Sequence, residues 1–175
     1  LGEEARNRRA FKDAEAFYEM AAAREPGYAG ARAGLGDLRI FQGRPADAEA
    51  CYREALRLDP TSAQAANNIA ELVLDREGDA AEAQVLAEKA LVLTIGEWDR
   101  LARDRDVATR PAVREELEMR RRRLAEEQFL PVLGTVGMAR KASGDMAGAL
   151  EAWRRGLAMA SPTNGEYRAR RLYQI

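Results

Sequence analysis

Thirty-four residues separate Pro26 from Pro60, and the same interval relates Leu1-Gly2 to Leu35-Gly36, Ala14 to Ala48, Tyr18 to Tyr52 and Ala21 to Ala55. Repetition at that length marks a solenoid of stacked helical hairpins, because each unit buries its apolar face only against its neighbours. The expected fold is an all-α, right-handed solenoid. Hydrophobic residues make up 46% of the 175 positions while aromatics make up only 6%, which suits helices that approach closely through alanine and glycine. A solenoid presents a long concave surface, so holding another protein is the expected task.

Several function classes fall away at once. The chain has no histidine, which removes the commonest general base and metal ligand. Cys51 is the only cysteine, so no internal disulfide and no Cys/His zinc site can form, and next to Tyr52 on a helix it reads as a buried, inert thiol. No phosphate-binding glycine loop is present, and Ser62, Ser143 and Ser161 fall at helix boundaries with nothing to activate them. We expect no enzyme, no cofactor and no metal. The 28 basic and 29 acidic residues leave a net charge of −1, so no global field draws nucleic acid. No apolar run reaches the roughly 18–20 residues that span a bilayer.

The clearest unit is 29–62, with Leu35-Gly36, Gly43 at a turn, Ala48 followed four residues on by Tyr52, then Ala55 and Leu58-Asp59-Pro60. Gly36 and Ala48 are small where two antiparallel helices cross, Tyr52 fills the gap to the next hairpin, Gly43 ends the first helix and Pro60 stops the second. This unit resembles the tetratricopeptide repeat (TPR) family, whose pattern has a Leu-Gly pair, Ala-x3-aromatic, a further alanine and a closing proline.

Residues 1–28 read as a partial unit, with a first helix entering at Leu1-Gly2 and a second carrying Phe11, Ala14, Tyr18 and Ala21. Because Leu1 falls inside a unit, we expect residues to precede it. Unit 63–95 has Ile69-Ala70 for Leu-Gly, one extra residue near Asp75–Glu77, Ala87 for the aromatic and Ile95 for the proline. Unit 130–163 has Gly137, Gly144-Asp145, Ala149, Trp153, Gly156 and Pro162, and 164–175 reads as a capping helix with Tyr167 facing inward.

The stretch 96–129 is either a degenerate repeat, the reading favoured here, or a charged helical insertion. Trp98 and Leu101-Ala102 look like the start of a first helix, 104–110 lacks periodicity, and Pro111 opens a charged helix to Gln128. Its Arg120–Arg123 run is balanced by glutamates, and Glu116 and Glu118 stand four residues before Arg120 and Arg122, so a solvated helix laced with ion pairs is expected.

The resemblance implies that first helices line a concave groove and that the residue after the Leu-Gly pair faces into it. That places Glu3, Asp37 and Glu71 as an acidic ladder, with Gln64, Asn67 and Asn68 as hydrogen-bonding groups and Ile40, Phe41 and Leu74 as apolar pockets. Burial against the next hairpin is the favoured alternative for Phe41. The cationic clamp by which chaperone-binding TPR domains hold a C-terminal carboxylate is missing, since Ala33, Asp37, Gln64 and Asn68 occupy those faces. The implied function is a non-catalytic scaffold whose groove binds a peptide or protein segment with basic character. The alternatives are a self-associating building block, hence a homo-oligomer, or the recruiting module of a larger catalytic protein. The Ala/Arg-rich, Lys-poor composition suggests a bacterial source, and the compartment, cytoplasm or periplasm, stays open.

Overall fold

Turns at Gly43, Glu77-Gly78 and Gly144, together with Pro26, Pro45, Pro60 and Pro111 at or beside helix ends, set the architecture. The computed structural model describes residues 2–159. Eight α-helices follow one another: α1 (Gly2–Arg24), α2 (Ala29–Phe41), α3 (Pro45–Leu58), α4 (Ala63–Asp75), α5 (Ala80–Val107), α6 (Pro111–Leu124), α7 (Leu130–Ala142) and α8 (Met146–Met159). A single π-turn, Ala125–Phe129, joins α6 to α7 without a break. Described residues include no strand. The hairpins α2/α3, α4/α5 and α7/α8 stack side by side, with α1 packed on α2.

The tight turns within hairpins share one backbone device. Gly43 and Gly144 adopt φ of +70° and +90°, and the next residue's N–H, from Arg44 or Asp145, returns 2.8 Å to the carbonyl of Arg39 or Arg140. Glycine suits that left-handed position because a Cβ is penalised there. In the α4/α5 hairpin Glu77 takes the left-handed site, at φ 52°, and Gly78 N–H closes the turn onto Val73 O at 2.8 Å. Because α5 starts at Ala80, one residue later after this turn than α3 and α8 start after theirs, the extra residue lies after Glu77 and not before it. Asp79 then caps α5 through the Ala81 N–H.

Two expected boundaries move, each for want of a stop signal. The position thirty-four residues before Gly43 is Arg9, which cannot supply the turn, so α1 runs unbroken from Gly2 and no separate first helix precedes it among the described residues. At the other place Ile95 stands where Pro26 and Pro60 end their helices, and α5 continues for 28 residues to Val107. Segment 96–129 is consequently not a repeat of its own. Its first part prolongs α5, its second part prolongs α7 backwards, and α7 packs directly on α4 and α5. The two extensions lie together as an arm about 20 Å long, at 1.5 Å per helical residue. Only 108–110 leaves the helix, so residues 104–107 are ordered α-helix.

The core runs through all three hairpins: Ala48 and Tyr52 of α3, Ile69, Ala70 and Val73 of α4, Ala83, Ala87 and Ala90 of α5, Val132 and Val136 of α7, and Ala152 of α8. Small residues at the crossings let aromatic rings close the gaps. Tyr52 lies over Gly36 and Trp153 over Gly137, so a Cβ at either glycine would collide with a ring. The expected capping helix 164–175 and Pro162 lie outside the described residues.

Candidate functional site

First helices α2, α4 and α7 bring a set of polar side chains to one face. Their foundation is Tyr52 of α3, only 3% exposed. A buried phenol needs a partner, and Tyr52 Oη donates to Asp37 Oδ1 of α2 at 2.7 Å. Asn68 of α4 stands beside the same hydroxyl, and the charges of Asp37 and Glu71 both act on it. Burial, and then the hydrogen bond and charge of Asp37, push the Tyr52 phenol well above the usual range.

One turn along α4, Glu71 Oε1 accepts from Asn67 Nδ2 at 3.1 Å and from Thr135 Oγ1 of α7 at 3.0 Å. Asn67 and Thr135 are buried, Glu71 half-buried. The protein's own donors thus point at two carboxylates, and no lysine or arginine among the described residues forms an ion pair with either. Asn67 Oδ1 is buried and accepts no hydrogen bond. Such an arrangement is an acidic, acceptor-rich face whose spare capacity suits a cation.

Of the residues expected in the groove, Asp37, Asn67, Asn68 and Glu71 come together here. Gln64 is exposed in the first turn of α4. Glu3 lies in the first turn of α1, and its side chain falls outside the described residues, so the structure describes two rungs of the expected ladder. Leu74 packs against the core and opens no pocket. Ile40 and Phe41, at the end of α2, are exposed, and the Phe41 ring meets Phe11 of α1 at 5.8 Å instead of being buried by the next hairpin. Cys51 is half-buried, and desolvation raises its thiol pKa.

Arg120, Arg122 and Arg123 of the arginine run are exposed and the helix carries ion pairs, as expected, but Arg121 departs from that surface. Arg121 places its guanidinium carbon 4.2 Å from the Trp98 ring centroid, and Trp98 in turn meets Phe129 edge to face. Glu118 pairs with Arg105 of α5 at 3.1 Å and with Arg121, not with Arg122. This cluster fastens the arm, and it escaped sequence reading because Trp98, Arg121 and Phe129 share no common period. No group of metal-binding side chains occurs among the described residues, and none of their helices is long and apolar enough to cross a membrane.

A tetratricopeptide repeat model matches residues 7–72. Among solved structures, the N-terminal domain of stress-induced protein-1 (STI-1) from C. elegans aligns with a TM-score of 0.50 at 20% identity, covering 83% of this chain and 94% of that one. Two structures of MamA align with TM-scores of 0.45, one at 18% identity over 91% of this chain and 94% of that one, the other at 17% over 100% and 92%. No curated protein matches by sequence.

Proposed function

We propose that this chain works as a non-catalytic interaction scaffold, in keeping with the tetratricopeptide repeat model that matches residues 7–72, and that its concave face, built from α2, α4 and α7, holds a basic segment of a protein partner. The observation that carries this reading is the pair Asp37 and Glu71, held in place by Tyr52, Asn67 and Thr135 and joined in no ion pair among the described residues. Two such carboxylates repel each other, and a basic ligand relieves the repulsion while gaining charge-assisted hydrogen bonds. Gln64 extends the polar surface along α4.

The test compares wild type with Asp37→Asn/Glu71→Gln. Amides keep an acceptor for Tyr52 and Thr135 and remove only the charge, whereas lysine would leave those buried hydroxyls facing an ammonium. Partners captured by wild type from the native organism should bind more weakly as salt rises, and about tenfold or more weakly to the double variant, a loss of about 1.4 kcal/mol or more. Melting temperatures should agree closely. Equal affinity of both proteins for the captured partner would refute the reading.

A second reading, self-association, is favoured by Phe17 and Met20 of α1, which are 61% and 63% exposed. Light scattering over a dilution series distinguishes it: a constant monomer mass excludes it.

A further inference from the structure

We infer that the π-turn at Ala125–Phe129 is a rotational adaptor: it absorbs one residue of an otherwise continuous helix and so turns Arg121 of α6 onto Trp98 of α5. This concerns the arm and is independent of the groove-binding function proposed above. The exposed positions on either side of the turn carry the inference. Between Leu130 and Ala139 of α7 only Pro131 and Met138 are exposed, two helical turns apart on one line. In a regular α-helix that line would continue back through Glu127, Leu124, Arg120, Leu117 and Val113. Leu124 is buried and Leu117 and Val113 are half-buried, so it does not. Moved by one residue, the line passes through Glu126, Arg123, Met119, Glu116 and Ala112, and all five are exposed. One residue of α-helix is about 100° of rotation. The turn therefore holds one residue more than a regular helix would, and that residue puts Leu124, Leu117 and Val113 on the inner side of the arm.

The sequence explains why the helix widens at this place. Leu130 N–H donates to Ala125 O, five residues back. The next residue, Pro131, has no N–H to donate, and in a regular helix its ring would press on the carbonyl of Glu127. Glu127 is exposed, so water can serve the carbonyl that Pro131 cannot. Arg121 lies two residues from both Met119 and Arg123, which places it on the side of α6 opposite the exposed line. There its guanidinium carbon sits 4.2 Å from the Trp98 ring centroid, and Glu118 pairs with Arg105 of α5. Phe129, the last residue of the turn, meets Trp98 edge to face with ring centroids 5.8 Å apart, so the turn supplies part of the clasp as well.

The experiment labels the full chain with fluorotryptophan, whose fluorine resonances come from Trp98 and Trp153. Arg121→Ala gives the position of the Trp98 signal without its cation, and Trp153, buried over Gly137, reports the fold. Deleting Glu127 in a Pro131→Ala background removes the residue that the turn absorbs, so α6 and α7 join as one regular helix in the same phase. Trp98 should then keep its wild-type signal, and the melting temperature should not fall. Deleting Glu126 and Glu127 together in that background turns α6 by about a further 100°, and the Trp98 signal should leave its wild-type position. A one-residue deletion that moves the Trp98 signal, or loses that of Trp153 with it, overturns the adaptor, because a regular helix in the same phase disturbs neither. A two-residue deletion that leaves Trp98 unchanged overturns it too, since the clasp would then not depend on phase. An Arg121→Ala protein whose Trp98 signal matches wild type sinks the inference at the outset, because no stacked cation is then there to be positioned.

Discussion

Alanine at Gly36 and alanine at Gly96 are the same substitution with opposite expected signs. Both glycines lie inside helices, α2 and α5, where replacing glycine by alanine is worth about 0.5–1 kcal/mol in backbone entropy. A Cβ built at Gly96 meets nothing within 4 Å, so Gly96→Ala should keep that full gain. At Gly36 the new carbon would sit 2.5 Å from Tyr52 Cε1 and 2.7 Å from Cδ1. Ordinary carbon contacts are about 3.5–4.0 Å, so roughly an ångström must be found. The ring is not free to supply it. Tyr52 is 3% exposed, packed with Ala66, Ile69 and Ala70, and tethered to Asp37 through its hydroxyl. Overpacking of this kind costs about 1–3 kcal/mol, which leaves Gly36→Ala less stable by about 0.5–2 kcal/mol after the helix gain. At about 2–4 °C per kcal/mol for a domain of this size, Gly36→Ala should melt a few degrees below wild type and Gly96→Ala a few degrees above. Circular dichroism at the helix band through thermal and urea unfolding measures both. A Gly36→Ala protein as stable as Gly96→Ala would refute the close approach of Tyr52 to α2.

Ala48 is fully buried at the crossing of α2 and α3, so Ala48→Leu should cost about 1–3 kcal/mol in urea unfolding. Glu77 occupies a left-handed backbone site with no side-chain bond to lose, and Glu77→Gly should stabilise by about 0.5–1 kcal/mol in the same assay. The Tyr52 phenol is pushed far above its unfolded value near pH 10, first by burial and then by Asp37. With the folded pKa the higher one, its contribution is fully present below about pH 10 and is lost as pH rises beyond, so stability should fall between pH 10 and 12 less steeply in Tyr52→Phe than in wild type.

The hairpins from Ala29 to Asp75 and from Leu130 to Met159 were legible in the chain because their rules are local. A proline past a helix end, a glycine at a left-handed turn and a small residue opposite an aromatic act within one unit and recur at a fixed spacing. The same local logic failed where a signal was missing rather than present. Arg9 and Ile95 look unremarkable one by one, yet the absent turn lets α1 run as one helix and the absent proline lets α5 extend into the arm. In the α4/α5 turn the backbone places Glu77 rather than the adjacent Gly78 at the left-handed site.

The acidic residues Asp37 and Glu71 stood out from their repeat positions, and so did Asn67 and Asn68 as asparagines inside a helix. What those residues do was decided by packing. Tyr52 reads in the sequence as a filler of apolar space, and only the fold aims its hydroxyl at Asp37. Thr135 carries no sequence signal at all, and it reaches Glu71 across sixty-four positions because α7 stacks directly on α4. Periodicity records which faces are buried. Which donor meets which carboxylate depends on how neighbouring helices are placed, and that placement exists only once the repeats have packed.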